Sequence, residues 1–287
     1  MGAFFQSAFS AAGASLNLFL VTSTDGLHFV LMPANYTPTS GHVVRDPSIV
    51  KIGATWWVAH TNISFTASTS FDIAMSIDGV NFTYVTSVDC SSVTGNTASS
   101  FAWAPEWFVD IDGSVHVLAA LNSAVTPNFS IYEMHPTSSD FTSWSTPVML
   151  TSVGGGSVQA NIIDPFMVRV GTTYNLWFKA SDQTIQYASS QSLTSGYTVL
   201  TSGNWAGFAY PDPADQFKTR KEGECLYQLP DGRWMILLDQ DGVHMFYSIG
   251  DANWTPSSWT QPVLLPPIRN GQFIPQHGTV IPVSGYP

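Results

Sequence analysis

The amino-acid sequence predicts an all-β fold, a five-bladed β-propeller in a single domain spanning residues 1–287. Short runs rich in Val, Ile, Thr, Tyr, Phe and Trp recur between turn-forming residues at spacings of about 8 to 12 residues, as in sandwiches, barrels and propellers. No segment carries a long apolar stripe of helical period, so helix is expected to be minor. Tight hairpins are predicted at five Asp-Gly turns, which begin at Asp25, Asp78, Asp112, Asp231 and Asp241.

Internal repeats select the propeller among the all-β folds. The segment "RDPSIVKIGATWWVAH" at residue 45 returns as "IDPFMVRVGTTYNLWF" at residue 163, and "TSTDGLHFVLM" at 22 returns as "MSIDGVNFTYV" at 75. Strand-opening dipeptides recur at intervals of about 55 to 60 residues, the length of one four-stranded blade. They are Asp46-Pro47, Ala104-Pro105, Asp164-Pro165, Glu222-Gly223 and His277-Gly278.

The two ends of the chain are predicted to share one blade. The units open near residues 45, 103, 163, 221 and 276, and the last unit stops after "HGTVIPV". The N-terminal hairpin at residues 16–33 would therefore complete the C-terminal blade. This arrangement closes the ring without a covalent bond and hides both sheet edges.

Composition narrows the kinds of partner that the protein can have. Only 10% of the residues are charged, the formal net charge is −11, and the nine Lys and Arg residues form no basic cluster. A nucleic acid is therefore not an expected partner. No apolar run is long enough to span a bilayer, so no membrane association is expected either. The abundance of Ser, Thr, Asn, Trp and Tyr favours a neutral polar ligand, and a monomer is expected.

The sequence favours a secreted protein, because five Asn-x-Ser/Thr sequons are typical of extracellular chains. They begin at Asn35, Asn62, Asn81, Asn128 and Asn253. The stretch "MGAFFQSAFSAAGAS" lacks the charged start of a signal peptide, so we interpret the chain as a mature or trimmed form. Cys90 and Cys225 are too few for a disulfide framework, and they are either core thiols or one pair.

Propeller geometry predicts that acidic residues from distant parts of the chain meet at one place. The first strand of each blade lines the central axis, so Asp46, Asp164, Glu222 and His277 should face one mouth of the channel. Like charges brought together raise one another's pKa, and such a cluster is a candidate functional site. Carboxyl groups roughly 6.5–9.5 Å apart suit inverting glycoside hydrolysis, in which one protonates the leaving oxygen and another activates water.

At these residues the chain resembles glycoside hydrolase family 43, whose members are five-bladed propellers that act on arabinan, xylan and related plant polymers. The resemblance covers about residues 40–285. It rests on the segments "RDPSIV", "WAPEW", "IDPFMV", "EGECLYQLPDGRW" and "QHGTV" in the order and spacing of the family. It implies that Asp46 is the general base, Asp164 the pKa modulator and Glu222 the general acid.

The resemblance also implies residues that contact sugar. Trp103 would line the sugar pocket, and Arg45 and Glu106 are further candidates for substrate binding. For Glu106, the alternative is a structural hydrogen-bonding role. His277 would lie on the axis, where some members hold a calcium ion or water, so it is both a substrate-binding and a metal-ligand candidate. No cofactor is expected to be required.

Two features leave alternatives open. Glu224 replaces the proline that often follows the Glu-Gly of the family, and strand alternation places Glu224 on the same face as Glu222, so it is a rival acid. The resemblance implies a neutral plant oligosaccharide or polysaccharide as substrate, with terminal α-L-arabinofuranose as first choice because family members often take it, and xylose or galactose as alternatives. A carbohydrate-binding propeller without catalysis is a further alternative, although the blade openings differ in chemical type, which favours an enzyme.

Overall fold

The computed structural model of the chain describes residues 1–6, 15–63, 67–95, 100–122, 128–200, 205, 221–240, 244–251, 256–270 and 275–283. Within these residues, twenty strands form five four-stranded antiparallel sheets, one for each blade. Helical structure is limited to α1 (Ser91–Thr94) and a 3-10 turn at Pro256–Ser258. The predicted five-bladed propeller is confirmed.

The strands of blades 1 to 4 follow one another along the chain. Blade 1 contains β4 (Arg45–Ile52), β5 (Thr55–Thr61), β6 (Ser70–Ser76) and β7 (Thr83–Asp89). Blade 2 contains β8 (Ala102–Val109), β9 (Val115–Asn122), β10 (Phe129–Met134) and β11 (Val148–Met149). Blade 3 contains β12 (Ile163–Val170), β13 (Thr173–Lys179), β14 (Ile185–Ser190) and β15 (Thr198–Val199). Blade 4 contains β16 (Glu222–Gln228), β17 (Trp234–Gln240), β18 (His244–Gly250) and β19 (Val263–Leu264).

Blade 5 joins the two ends of the chain. It contains β20 (Gln276–Val280), β1 (Gly2–Gln6), β2 (Ser15–Thr22) and β3 (Val30–Met32), in that order across the sheet. The ring closes as expected, but the N-terminal segment supplies three strands where the sequence suggested two. The additional strand, β1, is buried along its whole length, so it lacks the apolar-polar alternation that reveals a strand in the sequence.

The close approach of β1 to β20 depends on a glycine. A Cβ atom at Gly278 would lie 2.0 Å from the carbonyl oxygen of Ala3, a separation that no side chain tolerates. Glycine at this position therefore permits the pairing of Phe4 with Gly278 that holds the two ends together.

The inner strands β4, β8, β12, β16 and β20 surround the axis, and each carries a bulge near its first residues. In four of them the bulge contains a residue in the left-handed region: Asp46 (φ 47°), Ala104 (φ 47°), Asp164 (φ 55°) and Gly223 (φ 60°). A bulge bends its strand and changes the direction of the side chains beside it. The bulges lie at the end of the axis where the inner strands begin, which we call the mouth.

The core fills the spaces between neighbouring sheets and includes both cysteines. Cys90 and Cys225 are free thiols with no exposed surface. Cys90 lies 3.7 Å from the sulfur of Met134, whereas Cys225 lies beside the backbone of Val280. The sequence left open whether the two cysteines are core thiols or form one disulfide pair, and the structure shows two core thiols. In the part of the chain that the structure describes, no helix is long and apolar enough to cross a membrane.

Candidate active site

Side chains from four inner strands meet at the mouth. The Nδ1 atom of His277 lies 3.5 Å from Oδ1 of Asp46 and 3.9 Å from Oδ1 of Asp164. The backbone N–H of Gly223 donates to Oδ2 of Asp164 over 3.2 Å, which places the neighbouring Glu222 beside it. The structure therefore brings together the four residues that the sequence expected at this place.

The bulges explain how the backbone presents these groups. Asp46 and Asp164 both adopt positive φ, a conformation that costs a non-glycine residue about 1–3 kcal/mol and is often found at functional sites. Gly223 adopts φ 60°, and a Cβ atom at this position would lie 2.7 Å from Cγ of His277. The glycine of the Glu-Gly motif therefore provides both the backbone conformation and the space for the imidazole.

Burial dominates the ionisation of Asp164. Its pKa is raised above the ordinary value, first by burial and further by the negative charges of Glu222 and Asp46. The positive charges of His277 and Lys179 act in the opposite direction. A buried carboxyl at the centre of this cluster thus holds its proton to a higher pH than an exposed aspartate.

Lys179 is a member of the site that the sequence analysis did not identify. It ends β13, it is buried, and its Nζ atom donates to Oε2 of Glu222 over 2.5 Å. Lysine is rarely buried unless it is paired, so a lysine ending the apolar run "YNLWFK" was an available signal. Asp239 was also missed, and its Oδ2 atom accepts the backbone N–H of His277 over 3.2 Å.

The two neighbouring glutamates of β16 differ in accessibility. The side chain of Glu222 is 25% exposed. Both carboxyl oxygens of Glu224 are buried and have no hydrogen-bond partner among the residues that the structure describes. The pKa of Glu224 is raised well above its ordinary value by burial and then by the charge of Asp164. A general acid must contact the leaving oxygen of its substrate. This requirement is easier for Glu222 to satisfy than for Glu224.

Trp103 belongs to an aromatic cluster at the start of β8. Its ring stacks on Phe129 with centroids 4.7 Å apart and lies 5.0 Å from the ring of Phe101. The sequence analysis identified Trp103 alone. Phe101 stands two residues earlier, on the same face of an extended chain, so the strand period could have pointed to it.

Arg45 and Glu106 have different surroundings. Arg45 opens β4 beside Asp46, and its guanidinium lies 5.5 Å from the ring centroid of Phe5. Glu106 is buried past the bulge of β8, where Thr279 donates to its Oε2 atom over 2.7 Å. Burial raises the pKa of Glu106 to about 8. These contacts favour a structural role for Glu106 over the sugar contact considered from the sequence.

The donors around His277 do not fit a calcium ion. Calcium takes six to eight oxygen ligands, whereas His277 supplies a nitrogen within reach of Asp46 and Asp164. Within the described residues, the one group of three donors that could hold a metal lies in blade 2 and does not include His277. Residues 96–99 and 206–220, which precede β8 and β16, lie outside the described residues.

Comparisons with known proteins agree with this architecture. A family model described as a probable glycosyl hydrolase domain, related to glycoside hydrolase family 43, matches residues 6–286. A search of curated protein sequences finds no match.

Solved structures share the fold at low sequence identity. A family 43 protein from Bacillus licheniformis has a TM-score of 0.60 and 15% identity, covering 89% of this chain and 54% of its own. An α-L-arabinofuranosidase from Clostridium thermocellum has a TM-score of 0.59 and 13% identity, with coverages of 92% and 84%. An exo-β-1,3-galactanase from Phanerochaete chrysosporium has a TM-score of 0.55 and 11% identity, with coverages of 81% and 53%.

The chain thus spans about half the length of the Bacillus and Phanerochaete proteins. At these identities the structural likeness shows the propeller fold, whereas the family model covers nearly the whole chain. The chain belongs to the probable glycosyl hydrolases related to glycoside hydrolase family 43, as its strand-opening motifs indicated.

Proposed function

We propose that the protein is an inverting glycoside hydrolase that removes terminal α-L-arabinofuranosyl residues from plant cell-wall oligosaccharides or polysaccharides. The observation that carries this proposal is the meeting of Asp46, Asp164 and Glu222 around His277 at the mouth of the propeller. Family membership supports the glycosidic reaction. Arabinofuranosidases are among the solved structures that share the fold.

In the proposed reaction, Asp46 is the general base. Its carboxylate removes a proton from a water molecule, which attacks the anomeric carbon from the side opposite the leaving group. Glu222 gives its proton to the glycosidic oxygen as the bond breaks. One displacement inverts the anomeric configuration, so the first product of an α-linked substrate is the β sugar.

Two ionisable groups lie beside the carboxyl group of Glu222. Lys179 donates to its Oε2 atom, and Asp164 is close enough for its charge to interact with that of Glu222. Asp164 also accepts the N–H of Gly223 and so holds the start of β16 in place. We assign Asp164 the role of tuning and positioning the acid.

The aromatic cluster supports a sugar-binding role for the mouth. Trp103 and its neighbours Phe101 and Phe129 offer apolar faces of the kind on which sugar rings stack. Arg45, at the start of β4, is proposed as a polar contact to the substrate. The proposed pocket binds one terminal sugar residue of the substrate and leaves the rest of the oligosaccharide or polysaccharide outside.

An extracellular site of action accompanies this proposal, since its substrate is a wall polymer. Among the sequons, Asn128 is exposed, whereas Asn62 is buried and donates to Asp72, so a glycan at Asn62 is incompatible with the fold. Asn253 lies outside the described residues.

The test combines substrate choice with the stereochemistry of the product. Aryl α-L-arabinofuranoside, β-D-xyloside and β-D-galactoside are incubated with the protein, and the first sugar released is identified by proton NMR. The proposal expects release of β-arabinose first, and loss of activity in Asp46→Asn. Release of α-arabinose first from the α-L-arabinofuranoside would contradict inversion. Preferential release of xylose or galactose would contradict the sugar assignment. Binding of these sugars without hydrolysis would identify a lectin.

A further inference from the structure

A second cluster of ionisable side chains lies in blade 2, away from the mouth. His116 is near the start of β9, and Glu133 is near the end of β10. His135 is the first residue after the end of β10. Trp103 at the mouth pairs with Ala120, four residues beyond His116 on β9. The cluster is therefore about 13 Å further along the strand, at the opposite face of the propeller.

Both imidazoles face one carboxylate oxygen. The Nδ1 atom of His116 lies 2.7 Å from Oε1 of Glu133, and the Nδ1 atom of His135 lies 3.0 Å from the same oxygen. The three donor atoms lie within 4.8 Å of one another. Glu133 is buried, His116 is 12% exposed and His135 is 48% exposed, so the group opens to solvent on one side.

Neighbouring groups hold both histidines in these orientations. The other ring nitrogen of His116, Nε2, lies 2.9 Å from Oγ of Ser114, which in turn donates to Asp112 over 2.6 Å. The backbone of His135 is fixed by Ser145, whose Oγ accepts its N–H and whose N–H donates to its carbonyl oxygen. Metal-binding histidines commonly have such a partner on the second ring nitrogen.

We propose that His116, Glu133 and His135 bind a divalent transition-metal ion of the chemical class of zinc. Zinc takes histidine nitrogen and carboxylate oxygen at about 2.0–2.2 Å, which in a tetrahedral site separates the donors by roughly 3.4 Å. The present separations of 2.7 and 3.0 Å would widen by about 0.7 and 0.4 Å, and the two Nδ1 atoms already lie within 4.8 Å of each other. The ion takes the place of the protons shared between the imidazoles and the carboxylate.

The donor set also selects the kind of metal. Two of the three ligands are imidazole nitrogens, which suit zinc, copper or nickel, whereas calcium and magnesium prefer oxygen. Both histidines line a surface groove of about 490 Å³, together with Ser138 and Phe141, so an ion bound between them is open to water. Water completes the coordination there.

The bound ion connects two segments of the blade, the β9 strand and the chain that leaves β10. An ion that binds the folded chain and not the unfolded chain raises the free energy of unfolding by mass action. We therefore expect the ion to stabilise blade 2 and to take no part in the chemistry at the mouth.

The experiment titrates the chelator-treated full-length chain with Zn²⁺ alone in a calorimeter and follows the thermal midpoint, Tm. We expect one ion per chain and a higher Tm with Zn²⁺. His135→Gln should weaken binding by more than about 10-fold, and Ser114→Ala by roughly 10-fold through the orientation of His116. Because replacing His135 also removes its contact with Glu133, the Tm of each variant is compared with and without Zn²⁺, and the increase caused by Zn²⁺ should be lost in His135→Gln.

Two matched controls identify the site. His28 is an exposed histidine 2.7 Å from the carboxylate of Asp25, but within the described residues no second imidazole joins this pair. His28→Gln should therefore leave zinc affinity unchanged. Calcium should not compete with zinc. Equal affinity in His135→Gln and the unmodified protein, or loss of binding in His277→Gln, would overturn the proposal.

Discussion

Lys179 donates from Nζ to the Oε2 atom of Glu222 over 2.5 Å, across the boundary between blades 3 and 4. This contact holds the carboxyl group of the residue proposed to act as an acid. Burial raises the pKa of the neighbouring Asp164, the charge of Glu222 raises it further, and the charge of Lys179 lowers it. Lys179 is therefore in contact with the proposed acid and also influences the ionisation of its neighbour Asp164.

Replacing Lys179 should lower activity by releasing the proposed acid. In Lys179→Met the aliphatic chain is retained but the donor to Oε2 of Glu222 is lost, so the carboxyl group is no longer held in place. The value of kcat/KM should fall in Lys179→Met and fall less in Lys179→Arg, which keeps a charged donor. Unchanged kcat/KM in Lys179→Met would exclude Lys179 from positioning the acid.

Replacing Asp164 should change the pH dependence of activity. Asp164→Asn keeps the shape but cannot titrate, so the part of the kcat/KM profile that follows the raised pKa of Asp164 should disappear. Asp164 also accepts the N–H of Gly223, which gives it a structural role. Measuring Tm beside the profile separates the two roles. A lower Tm with an unchanged pH profile would show that Asp164 holds the strand and that its ionisation does not affect the reaction.

Substrates with different leaving groups should distinguish Glu222 from Glu224. Glu222→Gln should lose about 10²–10⁴-fold in kcat/KM on an arabino-oligosaccharide. The loss should be much smaller on an aryl glycoside with a good leaving group, which needs little protonation. Glu224→Gln should show no such difference between the substrates, since its carboxyl oxygens are buried. Leaving-group dependence in Glu224→Gln instead would reverse the assignment.

Glu106 should make stability decrease as the pH rises. Burial raises its pKa from 4.5 to about 8, so the folded chain binds a proton that the unfolded chain releases. The resulting stability is fully present below pH 4.5 and is lost as the pH rises through about 8. At about 1.4 kcal/mol for each pKa unit, the loss is a few kcal/mol.

The neutral variant Glu106→Gln provides the measurement for this effect. Its free energy of unfolding in urea should fall less than that of the unmodified protein between about pH 5 and pH 9. Parallel pH dependences in the two proteins would show that Glu106 does not titrate as its burial implies.

Gly223 should be intolerant of a side chain for two reasons that can be separated. Gly223→Ala incurs the cost of positive φ, about 1–2 kcal/mol. It also adds a clash with His277, at about 1–3 kcal/mol for an overpacked site. Gly171 has a similar φ of 59°, and a Cβ atom there would have no described atom within 4 Å, so Gly171→Ala should incur the first cost alone. Equal free energies of unfolding for the two variants would contradict the close packing of Gly223 on His277.

The sequence determined the blades and the candidate site through features that are local and repeated. Asp46 and Asp164 open strands at corresponding positions of two repeats, and the propeller brings corresponding positions to one axis. The closing blade was predictable because an unpaired C-terminal strand needs a partner. Strand β1 was missed because a strand buried on both faces has no alternation to read.

Only the tertiary structure decided which groups surround each carboxyl group. Lys179 contacts Glu222 from a neighbouring blade, 43 residues away along the chain. No local sequence pattern indicates a contact between residues so far apart. Glu222 and Glu224 are equivalent by strand alternation, but the bulge at Gly223 leaves one partly exposed and buries the other. Accessibility and charge environment depend on how blades pack together, whereas strand order depends on periodicity within one segment. For this reason the sequence identified the acidic residues, and the packing of blades 3 and 4 separated their environments.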